Sequence, residues 1–259
     1  MLKAVLFDFY QTLVNSANGF RTAERWIQRR LFEWLDLPDW NLFIGAYRRI
    51  RAEEGGNSPA HKVRQWHKVC RHFNVELQDT LLSTWEAEYW DRVDAETRLL
   101  PDTMPVLGEL RRHFKVGLLT NASTVHERGR HVEQFRSLMA MFDSVIVGGT
   151  NDILLKPNPD GFRKLLAALG VSPGEAVFVG DDWTDDICGA RDAGIFPVWL
   201  RHASIPRQPI KEVPADIVLI DSLHPLRNLC AGDSLDDIRR KLNRRLRTGK
   251  DTTPKGAFT

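Results

Sequence analysis

The chain has 259 residues and a formal net charge of +2, from 36 Lys plus Arg against 34 Asp plus Glu. Hydrophobic residues make up 42% and charged residues 27%, close to globular averages, which excludes a disordered or fibrous chain. No apolar run approaches the ~20 residues of a membrane span, and near-neutral charge gives no case for a nucleic-acid partner.

The opening Val5-Leu6-Phe7-Asp8 has an acid where a secretion signal would need its cleavage site, so it reads as a first strand. Cys70, Cys188 and Cys230 lie in neither disulfide-framework nor zinc spacing, which fits a reducing, cytoplasmic setting.

In chain order, strand character falls at Ala4–Phe7, Val116–Leu119, Ser144–Val147, Ala176–Val179, Phe196–Leu200 and Ile217–Ile220. These are continuous apolar runs rather than alternating ones, the pattern of strands covered on both faces. Helical spacing at Val106–His113, Val125–Ser137, Pro159–Leu169 and Thr184–Ala193 separates them. Strand–helix alternation of this kind predicts an α/β fold with a doubly wound, Rossmann-like parallel sheet.

Residues 17–98 interrupt the alternation. Four apolar series recur there at helical spacing, beginning at Phe20, Phe43, Val63 and Leu81, with no strand signal between them. They predict an inserted all-helical unit at 17–98, a core made of 1–16 and 99–232, and a basic C-terminal helix and tail at 233–259. Six of the eight tryptophans fall in the insert and read as its packing core. In the tail, Leu235, Ile238, Leu242 and Leu246 form a thin apolar stripe among arginines and lysines, the pattern of a solvated helix.

Four places carry the chemistry. Asp8 closes the first strand, where parallel sheets bind ligands. Thr120-Asn121 ends the second, offering a hydroxyl and fresh backbone N–H groups. Lys156 stands in a loop held by Pro157 and Pro159, suited to neutralising neighbouring carboxylates or holding an anion. Asp181, Asp182, Asp185 and Asp186 crowd the turn after Ala176–Val179. Two charges 4 Å apart repel by about 4 kcal/mol at an effective dielectric of 20, and a hard divalent cation removes that cost. His126 and His131 follow Thr120 but read as helix-packing residues.

The four places, in this order and each after a strand, resemble the motifs of the haloacid dehalogenase superfamily of hydrolases and phosphotransferases. The resemblance spans essentially residues 1–230: Asp8 to Leu13 is similar to its first motif, Thr120 to its second, Lys156 with Pro157 and Phe162 to its third, and Gly180–Asp186 to its fourth. The insert at 17–98 is similar to the helical cap of the subclass with dehalogenases, phosphonatases and small-molecule phosphatases. The resemblance implies Asp8 as nucleophile, Thr120 and Lys156 as ligands of the transferred group with Asn121 beside them, and Mg²⁺ as cofactor. The metal would be held by Asp8, the backbone carbonyl of Tyr10, Asp181, and Asp186 or Asp185.

Two residues depart from the family's phosphatases. Tyr10 stands where they carry a second Asp, the general acid and base, and Gln11 where they carry Gly. A Tyr, with its ordinary pKa near 10, is a poor base at neutral pH, and general acid–base catalysis is worth roughly 10²–10⁴ in rate. Tyr at this place is a feature of the dehalogenase branch, where a departing halide needs no proton. The acidic turn argues the other way, because those dehalogenases use no metal and take a carboxylate substrate that bare acids would repel.

The expectation is therefore a Mg²⁺-dependent phosphatase of a small phosphorylated metabolite. A metal-free 2-haloacid dehalogenase and a weakly catalytic phosphate- or metal-binding module stand as alternatives. Among Arg25, Arg29, Arg48 and Arg51, the sequence does not say which meets an anionic substrate, and it does not reveal the oligomeric state.

Overall fold

Burial on both faces dictates the centre of the molecule. In the computed structural model, which describes residues 1–54, 59–121, 135–150, 152–205, 213–215 and 217–243, strand β1 (Ala4–Phe7) is buried along its whole length. The insert follows: a two-residue strand β2 (Val14–Asn15), helices α1 (Ala17–Trp34), α2 (Trp40–Glu54), α3 (Pro59–His72) and α4 (Asp79–Ala95), and a second two-residue strand β3 (Arg98–Leu99). Next come α5 (Thr103–Leu110), β4 (Lys115–Asn121), α6 (Arg136–Met139), β5 (Ser144–Gly148), α7 (Pro159–Leu169) and β6 (Ala176–Gly180). A π-helical turn (Trp183–Cys188), α8 (Gly189–Asp192), β7 (Phe196–Leu200), β8 (Val218–Ile220) and α9 (Leu235–Asn243) complete the described chain.

The main sheet has six strands in the order β5-β4-β1-β6-β7-β8, every pairing parallel. Alternate residues of each strand serve opposite faces. Val5 and Phe7 pack with Val116, Leu118, Val177 and Val179, under Val106 and Leu110 of α5 and Ile238 and Leu242 of α9. Ala4, Leu6, Leu119 and Phe178 face the other way, under Phe162, Leu165 and Leu166 of α7 and Ala190 of α8. This is the doubly wound α/β fold that the continuous apolar runs predict.

The insert has its own apolar centre, with Ile27, Leu31, Phe43, Tyr47, Trp66, Val69, Trp85 and Tyr89 among its buried residues. Its helices α1 and α4 approach so closely that a Cβ on Gly19 would lie 2.3 Å from the Val93 carbonyl oxygen. The chain enters and leaves the insert side by side, because β2 and β3 pair antiparallel, Val14 with Leu99 and Asn15 with Arg98.

Three local expectations change. The helix expected at Val106–His113 lies at Thr103–Leu110, because the Thr103 hydroxyl donates to the Leu13 carbonyl at 2.6 Å and pins its start. The helix expected at Thr184–Ala193 opens as a π-turn before α8. The tail helix is docked rather than solvated: Ile238 and Leu242 are buried in the core, and only Leu235 of its stripe is exposed among the described residues. Of the helix expected at Val125–Ser137, residues 122–134 lie outside the described residues, as do Leu246 and the rest of 244–259. Cys70, Cys188 and Cys230 are all free, and no described helix is long and apolar enough to cross a membrane.

Candidate active site

The strand order makes the site. β1 lies between β4 and β6, so Asp8, Thr120-Asn121 and Asp181 emerge at adjacent carboxyl ends. Asp8, Tyr10, Thr120, Asn121, Lys156, Asp181, Asp185 and Asp186 all line one cleft of about 330 Å³. The structure thus brings together every site residue that the sequence singles out, while His126 and His131 lie outside the described residues.

Asp8 continues the register of β1, its N–H donating to the Val179 carbonyl at 2.9 Å. The chain then turns back on itself, with the Leu13 N–H donating to the Phe9 carbonyl at 2.9 Å. Within that turn Gln11 takes a left-handed φ of 59°, a conformation that favours glycine. Its side-chain oxygen accepts from the Ser16 N–H at 3.2 Å, a bond that glycine could not make and that offsets part of the strain. Thr12, which sequence reasoning missed, donates to Asp8 Oδ2 at 3.2 Å and reaches Asp181 Oδ1 at 3.5 Å.

Lys156 is the centre of charge. Its ammonium lies 2.6 Å from Asp8 Oδ1 and 2.6 Å from Asp186 Oδ1, with the side chain almost wholly buried. Burial opposes charging it, but Asp186 and Asp8 outweigh that and hold its pKa above the ordinary lysine value. Asn121 positions this lysine: its Oδ1 accepts from the Lys156 N–H at 2.8 Å and its Nδ2 donates to the Lys156 carbonyl at 3.2 Å.

The acidic turn is locked from within. One oxygen of Asp186 accepts from the N–H groups of Asp181 and Asp182, each at 3.0 Å. Asp182 caps the π-turn, accepting from the N–H groups of Thr184 and Asp185 at 2.8 Å each. Gly180 permits this fold-back, since a Cβ there would sit 2.4 Å from the Asp186 side chain. Burial raises the pKa of Asp186 well above the usual carboxylate range and pushes that of Asp185 up to about 7.

Carboxylate oxygens of Asp8, Asp181 and Asp186 lie within 4.8 Å of one another. Asp185 is outside this group, its Oδ2 accepting from Asn121 at 3.4 Å. Asp8, Asp181 and Asp186 outnumber the ammonium of Lys156 beside them, and a divalent cation would offset that excess of acid. The donor set, all oxygen and half-buried or deeper, fits a hard cation.

Tyr10 lines the cleft, but its hydroxyl is engaged by the insert. Its hydroxyl donates to Asp94 Oδ1 of α4 at 2.8 Å, and its ring stacks on Trp90 at 5.6 Å and meets Phe20 edge-on at 5.6 Å. Burial and the Asp94 charge hold the phenol well above its ordinary pKa. Trp90 and Phe20 also line the cleft, so one tryptophan of the insert forms part of its wall while Trp66 and Trp85 are packing core.

With the fold and geometry in place, comparison with known proteins identifies the class: residues 2–194 match the haloacid dehalogenase-like hydrolase family, and the chain belongs to it. It is a hydrolase of that superfamily with a helical insertion after β1. Among its relatives is the glyceraldehyde 3-phosphate phosphatase of Methanopyrus kandleri, 31% identical over 211 residues that cover 78% of this chain and 85% of that one. A solved HAD phosphatase from Thermococcus onnurineus superposes with a TM-score of 0.59 at 26% identity, covering 87% and 96% of the two chains. The Bacillus subtilis HAD-hydrolase YfnB, solved bound to magnesium, shares the fold with a TM-score of 0.61 at 20% identity, covering 88% and 99%.

Proposed function

We propose that this protein is a Mg²⁺-dependent phosphatase of a small phosphorylated metabolite, working through an aspartyl-phosphate on Asp8. The observation that carries the reading is the convergence of the Asp8, Asp181 and Asp186 carboxylates beside a buried Lys156. Relatives' activities support it, since glyceraldehyde 3-phosphate, phosphoserine and phosphoglycolate phosphatases are among the curated proteins similar to this chain. Residues 17–98 would serve as a cap over a catalytic core of 1–16 and 99–232.

In this reading Asp8, Asp181, Asp186 and the Tyr10 carbonyl hold the metal, with Asp185 buried alongside. Bound there, Mg²⁺ supplies charge neutralisation for the phosphoryl group. Asp8 attacks phosphorus in line, forming the Asp8–phosphorus bond as the ester oxygen departs with its electron pair. Thr120 and Lys156 hold the phosphoryl oxygens. Water then attacks phosphorus, releasing inorganic phosphate and restoring Asp8, so one hard step becomes two easier ones. With Tyr10 in place of a second acid, the departing oxygen takes its proton from solvent, and esters with good leaving groups turn over fastest.

A paired assay tests this. Aryl phosphate hydrolysis is expected with Mg²⁺, lost with chelator, and reduced at least ~10³-fold in Asp8→Asn. Chloride release from 2-chloro acids in the presence of chelator would establish the dehalogenase reading that Tyr10 favours. Tight, Mg²⁺-dependent binding of beryllofluoride without any turnover would mark a binding module.

A further inference from the structure

The catalytic cleft has two ends of opposite charge. Its floor carries the carboxylates around Asp8, whereas its cap side is lined by Arg21 of α1 and Arg51 of α2. A second cavity of about 300 Å³ continues into the insert and shares Ala17, Phe20, Arg21 and Arg51 with the first. Arg25, one turn beyond Arg21, lines this inner cavity together with Lys62.

The charge balance of these groups is unequal. Among the described residues Glu24 is the one acid lining the inner cavity, and its oxygens are already taken by Lys62 at 2.8 Å, Tyr47 at 2.9 Å, Arg51 at 3.2 Å and Tyr89 at 3.4 Å. Arg21 and Arg25 have no hydrogen-bond or ion-pair partner among the described residues. Arg51 commits one nitrogen to Glu24, which aims the guanidinium, and its other donors meet no partner among the described residues. A guanidinium with no carboxylate partner among the described residues, Arg21, and one held by a single carboxylate contact, Arg51, both line the cavity and match a planar or tetrahedral anion.

We infer that Arg21 and Arg51 form a specificity subsite for a second anionic group, a carboxylate or a further phosphate, at the end of the substrate remote from the hydrolysed ester. The inference rests on the phosphatase reading above and deepens it. The floor repels a bare anion and accepts one only with metal and Lys156, so a doubly anionic ester lies in one orientation across the cleft. Arg29 and Arg48 line neither cavity and take no part.

The test is steady-state kinetics on matched ester pairs with Mg²⁺. One arm compares 3-phosphoglycerate with glycerol 3-phosphate, and the other compares fructose 1,6-bisphosphate with fructose 6-phosphate. In at least one arm the member with the extra anion should show kcat/KM about tenfold higher or more, mainly through KM, and the arm identifies which anion is read. Arg21→Gln should collapse that ratio toward one, Arg21→Lys should restore part of it, and Arg48→Gln should leave it intact. Ratios near one in both arms, or an Arg21→Gln variant that slows both members equally, overturn the subsite while aryl phosphate hydrolysis still upholds the phosphatase. Absence of any phosphate ester hydrolysis overturns both.

Discussion

Lys156 is held between Asp8 and Asp186 at 2.6 Å from each, with almost no exposed surface. Removing its charge leaves two buried carboxylates facing one another, and breaking a buried pair in this way costs about 3–5 kcal/mol. Lys156→Met is therefore expected to lower unfolding free energy by about that amount in metal-free buffer, read from urea denaturation, and to abolish turnover. Tyr10 offers a second test. Under the phosphatase reading, Tyr10→Asp should raise alkyl phosphate turnover by as much as ~10²-fold, because it restores a proton donor two residues from Asp8, the proposed nucleophile. Unchanged turnover would show that proton delivery does not limit the reaction. The identities of these residues were legible in the sequence because each closes a strand or stands in an unusual loop. Their partners were not: Asp94 lies 84 positions from Tyr10 and belongs to a helix whose phase reveals packing, not which acid meets the core.

Among the elements, the central strands β4, β1, β6 and β7 were legible because burial on both faces leaves a continuous apolar run, and the half-buried edge strand β5 because Val145, Ile146 and Val147 are β-branched. The strands β2 and β3 were not, being two residues each and defined only by pairing across the whole insert. The π-turn was equally hidden, since it arises from Asp186 folding back on the backbone of Asp181 and Asp182. Arg21 was missed although a signal existed: Ala17, Arg21, Glu24, Arg25 and Gln28 form a largely polar stripe along α1 beside its apolar face, and all line the inner cavity. The same helix carries Gly19 against the Val93 carbonyl, where an added methyl has no room. Gly19→Ala should push α1 from α4 and destabilise the protein by about 1–3 kcal/mol in thermal or urea unfolding.

For the molecule as a whole, Glu24 ties the insert together. From α1 its carboxylate meets Tyr47 and Arg51 of α2, Lys62 of α3 and Tyr89 of α4. Burial opposes its charge, but Lys62, Arg51 and the phenol Tyr47 outweigh it, so its pKa falls below the usual 4.5. Lys62, buried with a single carboxylate to balance it, is held below its ordinary value. A depressed carboxyl pKa contributes stability that is complete above about pH 4.5 and fades as pH drops through the lower folded value. Glu24→Gln is expected to cost about 3–5 kcal/mol at pH 7, where it strands Lys62, and progressively less toward pH 3. Denaturation curves of both proteins across that range would show the gap narrowing, and a constant gap would refute the account.

The paired crossing of β2 and β3 has a consequence for how such enzymes diversify. Because Val14 sits opposite Leu99 and Asn15 opposite Arg98, the two cut ends left by excising the insert would be about one strand spacing, ~5 Å, apart. Any helical module whose own termini are similarly close could be spliced there without disturbing the sheet beneath. Under the proposed reading, with the insert reading the substrate and the sheet edge carrying the chemistry, exchange at this seam would change what is recognised and keep the bond-breaking apparatus, so the two could be inherited as separate cassettes.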